Sequence, residues 1–182
     1  MSVFPKPYAD LVARLRVASG FVLVLAFAWF SAPDFRSLAG GLPVSLAGLL
    51  LRAWATGHLE KNIRLAESGP YAYVRNPLYL GTLLVAAGLV IASRRWLLAA
   101  LFAAVFVLIY LPVIELEEQH LSKLFSNFAA YSKRVPSLAP TLWPVKSDVR
   151  FRWSLYMRNQ EYQALLGFLA GEALLTAKVF LH

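Results

Sequence analysis

The sequence contains no cysteine. That excludes disulfide bridges, thiolate metal sites and a cysteine nucleophile, and it leaves the redox compartment open. Histidine is nearly as scarce. Only His58, His120 and His182 occur, too few and too scattered for a His-rich metal cluster. Charge is the third shortage: charged residues make up 15% of the chain, against about 25% in ordinary soluble domains. No Gly-x-Gly-x-x-Gly occurs, so the fingerprint of a Rossmann dinucleotide site is missing.

What is abundant is apolar surface. Hydrophobic residues make up 59% of the 182 positions, and the mean hydropathy is +0.57. A single soluble core of this size cannot hide so much apolar side chain. A lipid solvent removes the difficulty. A bilayer core of about 30 Å takes about 20 helical residues, with roughly 17–25 tolerated. Five stretches meet or approach that length: Val17–Ala32, Leu38–Ala55, Pro77–Ser93, Trp96–Ile114 and Tyr162–Leu181. They are continuous and rich in Leu and Ala rather than alternating, which specifies helices and not strands. The expected fold class is all-α: a polytopic membrane helix bundle of about five transmembrane helices, forming one domain over residues 1–182.

The formal charge of +8 would suggest nucleic acid in a soluble protein. Here no basic run is long or interleaved with aromatics in a polar context, so no nucleic-acid partner is expected. Most of the 18 basic residues fall on one side of the five spans. Lys6, Arg14 and Arg16 precede the first span. Arg52, Lys61, Arg64 and Arg75 lie at or between the second and third. Lys123, Lys133, Arg134, Lys146, Arg150, Arg152 and Arg158 lie between the fourth and fifth. The other side holds Arg36, Arg94, Arg95 and Lys178. Retention of Lys and Arg inside the cell places the N-terminus and both long polar segments in the cytoplasm. The short Ser93-Arg94-Arg95 link predicts that spans three and four pack antiparallel. Pro112 is expected to kink span four, with the helix continuing as a polar extension over Glu115–Tyr131.

Two polar segments carry candidate chemistry. In the first, Gly69-Pro70-Tyr71 is followed by Arg75-Asn76-Pro77 at the start of span three. Asn before Pro at a first helical position is an N-cap arrangement, and a helix N-terminus offers free amides to an anion. A capped helix with a snorkelling arginine and interfacial tyrosines would look the same. In the second, Glu115, Glu117 and Glu118 follow an apolar span directly, where desolvation demands a cationic partner. Arg75, a basic residue of the Lys133–Arg134 stretch, or a ligand would supply one.

Together these segments resemble the isoprenylcysteine carboxyl methyltransferase and phospholipid methyltransferase family of integral membrane enzymes. The resemblance rests on Gly69, Tyr71, Arg75, Asn76, Pro77, Tyr79 and Gly81, then Glu117, Glu118, Leu121, Phe125, Tyr131 and Val135, and covers about residues 40–145. It implies S-adenosylmethionine as methyl donor, with S-adenosylhomocysteine as product, bound on the cytoplasmic face between the two segments. The implied cofactor contacts are Tyr71, Asn76, Pro77, Tyr79, Glu118, Leu121 and Tyr131, with backbone near Leu65 and Gly69. Arg75 would neutralise the cofactor carboxylate or orient an acidic acceptor. A Glu carboxylate would hold the cofactor ammonium, and Glu117 or Glu118 would serve as base for an amine or thiol acceptor. The implied acceptor is lipophilic: an isoprenoid or prenylcysteine-like carboxylate, a lipid amine or a thiol, reached from the bilayer by a monomer or weak homodimer.

The chain departs from the family pattern at three places. Asn76 stands where His is usual, Ser126 follows Phe125 in place of a common Gly, and Phe128 replaces a common Tyr. Among lesser features, Gly167 and Gly171 in span five suit close packing within the bundle, more than dimerisation. Glu172 and Lys178 share that span, and an ionisable residue there is a functional candidate. His58 and Glu60 are expected to be interfacial, and Arg52 to snorkel. Two other functions fit less well: a non-catalytic membrane scaffold, and a nicotinamide-dependent reductase, whose known membrane forms are much longer.

Overall fold

A computed structural model describes residues 4–144 and 147–181; Lys146 and His182 lie outside them. The elements in chain order are α1 (Lys6–Phe30), α2 (Phe35–Thr56), a short 3-10 turn (Gly69–Ala72), α3 (Pro77–Ser93), α4 (Trp96–Val105), α5 (Leu111–Leu124), α6 (Phe128–Arg134), α7 (Trp153–Arg158) and α8 (Tyr162–Leu181). No strand occurs among the described residues, and the chain is a polytopic helix bundle. Four helices are long and apolar enough to cross a membrane: α1, α2, the joined α4–α5 rod and α8. The fifth expected span, α3, has 17 residues and is about 25 Å long at the α-helical rise.

The closest packing is between α2 and α3, and glycine makes it possible. A Cβ at Gly41 would strike the Gly88 carbonyl, and one at Gly48 would strike the Gly81 carbonyl. The pairs recur seven residues apart in both helices, the spacing that keeps one seam facing its partner. Ser45 Oγ donates to the Val85 carbonyl at 3.0 Å, a polar tie between helices that water cannot supply in hydrocarbon. This differs from two sequence expectations. The third span's intimate partner is the second, not the fourth, and α4–α5 lies mainly along α1. Gly167 and Gly171 have no atom within 4 Å of a notional Cβ, so they do not mediate packing inside the bundle. A tight link fixes only where a helix starts, whereas the facing glycines fix how near two helices come.

Pro112 does not break the rod. The five residues Phe106–Tyr110 form a wide π turn immediately before α5, which accommodates the amide that proline lacks. The expected polar extension does form, but it stops at Leu124, turns at Phe125 and resumes as α6.

Polar ties close the ends of the bundle. At one end Asp34 caps α2, accepting from Ser37 N–H at 2.7 Å while Ser37 Oγ accepts from Asp34 N–H at 3.0 Å. Lys178 donates there to the Ala28 and Trp29 carbonyls and to Ser31 Oγ. The other end carries the long polar segments, and there the carboxylates cluster.

Candidate active site

The site is assembled around Arg75. Its Nε and Nη2 donate to the two oxygens of Glu118 at 3.0 and 2.8 Å. Its Nη1 donates to the carbonyls of Ser132 and Val135 at 2.8 and 2.7 Å. Those carbonyls are at the C-terminus of α6, where a helix leaves acceptors unpaired. One guanidinium therefore joins the start of α3, the middle of α5 and the end of α6. Four of its five N–H groups are used in doing so.

Asn76 occupies the N-cap position of α3 but makes no side-chain cap. Its amide instead donates to Glu118 Oε1 at 2.8 Å and to the Ser137 carbonyl at 3.2 Å. The expected cap therefore does not form: the side chain is turned to put its amide nitrogen on the charged Glu118 acceptor, a stronger bond than a neutral one. Ser137 Oγ also donates to Glu118 Oε1 at 2.8 Å. Three of these four donors converge on Oε1 and one, Arg75 Nη2, on Oε2, so Glu118 is committed to its protein partners. Backbone bonds support the same arrangement: Arg75 N–H donates to the Pro136 carbonyl and Asn76 N–H to the Ser137 carbonyl.

Glu117, one residue away, faces differently. It accepts from the Tyr79 hydroxyl at 3.0 Å. Glu115 accepts from Gln119 at 3.2 Å and from the Phe4 amide at 3.3 Å, which fastens the N-terminal segment to α5.

Beside these groups lies a cavity of about 860 Å³, within the range of small-molecule and cofactor sites. Leu65, Tyr71, Arg75, Asn76, Pro77, Tyr79, Glu117, Glu118, Leu121 and Tyr131 all line it. Gly69 is the one sequence candidate that does not. It adopts φ +59° with the His58 ring filling the space of a Cβ, so it shapes the turn that presents Tyr71.

The cavity lining is of two kinds. Lys61, Asn62, Arg64, Glu117 and His120 are polar, with an apolar cluster of Leu65, Leu121, Phe125, Phe128 and Tyr131 beside them. Ala13, Leu49, Leu78, Val85, Tyr110, Val113 and Ala164 also line it, all on membrane-length or apolar helices. The Tyr131 hydroxyl donates to the Tyr71 carbonyl at 2.8 Å, so that residue offers the cavity its ring. The Tyr71 hydroxyl bonds no other described residue. Burial pushes both phenols above their ordinary titration range, which keeps them protonated donors rather than bases.

Sequence reasoning missed three features. Arg52 does not snorkel: Nε and Nη2 pair with Glu161 at 2.6 and 3.1 Å, and Nη1 donates to Thr82 Oγ1 at 2.6 Å. Arg52 and Thr82 both line the cavity. Arg16 of α1 lines it as well and approaches the Tyr79 hydroxyl. His58, at the end of α2, is buried within the protein, its Nδ1 within 2.9 Å of Ser68 Oγ. Burial and the nearby Arg64 and Arg152 charges lower its pKa. Nothing in the local sequence marks Glu161 or Ser137 as partners of residues so far away. Glu172 differs in kind: its Oε1 is buried without a hydrogen-bond partner among the described residues.

Comparison with known proteins gives this geometry a context. The profile of the phospholipid methyltransferase family matches residues 45–127, which include α3, α4, α5 and the Arg75–Glu118 pair. The chain is 38% identical over 105 residues to the cobalt-zinc-cadmium resistance protein CzcN of Cupriavidus metallidurans, covering 57% of this chain and 48% of that one. It therefore spans about half the length of that relative. It is 30% identical over 156 residues to the nickel-cobalt-cadmium resistance protein NccN of Alcaligenes xylosoxydans xylosoxydans, covering 79% of this chain and 73% of that one. No solved structure matches the chain.

Proposed function

The chain belongs to the phospholipid methyltransferase family, and from that premise we propose that it transfers a methyl group from S-adenosylmethionine to a lipophilic acceptor. The observation that carries the proposal is one cavity whose lining joins the Arg75–Glu118 cluster to apolar residues of the membrane-length helices. A water-soluble donor and a bilayer-soluble acceptor need one space open to both phases. With the N-terminus inside, the Arg75–Glu118 cluster faces the cytoplasm.

The residues present fit the donor. Lys61 and Arg64 offer cations for its carboxylate, and the Leu65–Phe125–Phe128 slot an apolar bed for an aromatic base. When bound, the cofactor supplies an electrophilic methyl on a sulfonium. Methyl transfer is an in-line displacement, so positioning and exclusion of water provide most of the acceleration. Tyr71, Tyr79 and Thr82 fix orientation as hydroxyl groups on the cavity wall. For an amine or thiol acceptor Glu117 is the base, because Glu118 is held in its ionised form by Arg75, Asn76 and Ser137. A carboxylate acceptor needs no base at all.

This assigns Arg75, Asn76 and Glu118 a role different from direct contact. They hold α3, α5 and the segment after α6 at the distances the cavity requires. Asn76, in place of the family's usual His, performs this task through a neutral amide that donates twice. The relatives' names concern resistance to divalent metals.

The test is calorimetry on detergent-purified protein with S-adenosylmethionine, S-adenosylhomocysteine and NADPH. Binding of both methyl-cycle ligands and not NADPH is the expected result. Binding of NADPH alone would replace the proposal with a reductase. Binding of none would leave a scaffold.

A further inference from the structure

Residues 142–144 and 147–158 present surfaces that neither the site nor the bundle uses. Trp143 and Trp153 are 83% and 67% exposed, and Leu142 and Met157 are exposed beside them. Arg150 and Arg158 stand out from the same stretch, and neither pairs with a carboxylate among the described residues. Arg152, between them, is held by Glu60.

This is a fixed surface and not a loose loop. Thr141 N–H donates to the Tyr73 carbonyl at 2.8 Å, and Arg152 N–H donates to the Gly57 carbonyl at 3.0 Å. Phe151 lies over Gly57 and beside the His58 ring, at a centroid distance of 6.4 Å. The Trp153 ring meets Phe151 and Tyr156 edge-on, at 5.4 and 5.0 Å. Leu155 is buried, so α7 has an inner face and leaves its tryptophan outside.

Covalent continuity sets the level of this surface relative to the bilayer. Only residues 159–161 separate α7 from the apolar helix α8, a reach of about 10 Å at full extension. Asn159 donates to the Thr56 and Leu59 carbonyls at the end of α2, and Glu161 pairs with Arg52. The segment therefore sits where two spans leave the hydrocarbon. Tryptophan prefers that layer, and arginine there attracts anionic lipid headgroups.

We propose that residues 142–144 and 147–158 form an interfacial anchor that binds anionic phospholipid headgroups. Trp143 and Trp153 lie in the headgroup layer, and Arg150 and Arg158 receive the phosphates. Glu60 holds both Arg152 of the anchor and Arg64 of the cavity wall, so lipid binding is joined mechanically to the site's rim. The proposal does not depend on the methyltransferase reading.

The experiment uses the full chain in phosphatidylcholine vesicles containing a minor fraction of brominated lipid, either phosphatidylglycerol or phosphatidylcholine. Tryptophan quenching is recorded for the unaltered chain and for Trp143→Phe/Trp153→Phe, and the difference isolates these two residues. The expected result is stronger quenching by the anionic brominated lipid, corresponding to about fivefold enrichment per unpaired arginine. Arg150→Gln/Arg158→Gln, or high salt, should abolish the preference while leaving quenching by the zwitterionic lipid. Equal quenching by both lipids in the unaltered chain would overturn the anionic selectivity. No quenching of the pair by either lipid would overturn the anchor and leave a water-facing patch suited to a protein partner.

Discussion

Glu117 and Glu118 are neighbours in sequence with opposite duties. Glu118 accepts from Arg75 twice, from Asn76 and from Ser137, while Glu117 meets one phenol. Glu118→Gln should therefore cost stability, about 1.5–3 kcal/mol for the lost charged hydrogen bonds, read as a lower unfolding midpoint in detergent. Glu117→Gln should leave that midpoint in place and lower kcat by about 10²–10⁴ for an amine or thiol acceptor. An equal loss of stability in both variants would mean that the two carboxylates share one structural role. His58 makes a pH prediction. Its folded pKa lies below the ordinary value of 6.5, so between the two values the unfolded chain binds the proton more readily. Stability is then fullest above about pH 6.5 and falls as the pH drops below it. Thermal unfolding between pH 7.5 and 5.5 should show that decline, and His58→Asn should flatten it.

At the scale of elements, an ion pair made by the residue just before α8 ties that helix to the site. Glu161 is 8% exposed and fixes Arg52 in the cavity wall. Glu161→Ala leaves that guanidinium uncompensated and should cost about 1–3 kcal/mol. Arg52→Met/Glu161→Met should recover much of it, since an apolar pair of similar volume can replace an ion pair. Measured unfolding of the three proteins decides this. The pair also shows where sequence reading ends. Arg75 and Glu118 were legible because both lie in motifs whose register resembles a family. Glu161 follows Arg52 by 109 residues and no pattern links them. Helix positions were legible from hydropathy, and the third span, expected from just after Pro77 to near Ser93, is the helix Pro77–Ser93. Neighbour relations were not. Gly167 and Gly171 have a spacing that permits close approach, but the seam that forms uses Gly41, Gly48, Gly81 and Gly88, which only a known α2–α3 pairing reveals. The carboxylate cluster was visible, but which carboxylate is consumed depends on Ser137, a residue without any local signal.

For the whole molecule, the asymmetry of basic residues gives a topology that can be read chemically, because the natural chain has no cysteine. With the N-terminus inside, Arg95→Cys should react with an impermeant maleimide on intact cells, and Lys133→Cys only after permeabilisation. The reverse labelling would place the Arg75–Glu118 cluster outside, away from the cytoplasmic donor. With the N-terminus inside, the bundle brings polar and apolar side chains into the lining of one cavity of about 860 Å³, walled by spans from both halves of the chain. The central claim is that this cavity passes a methyl group from water-soluble donor to membrane-soluble acceptor. The most direct measurement is incubation of membranes containing the protein with S-adenosylmethionine labelled in its methyl group, followed by organic extraction. Label should enter the lipid extract, and it should be suppressed by S-adenosylhomocysteine and absent from membranes lacking the protein. A lipid extract with no label above that control, from membranes whose protein binds the donor, would contradict the account.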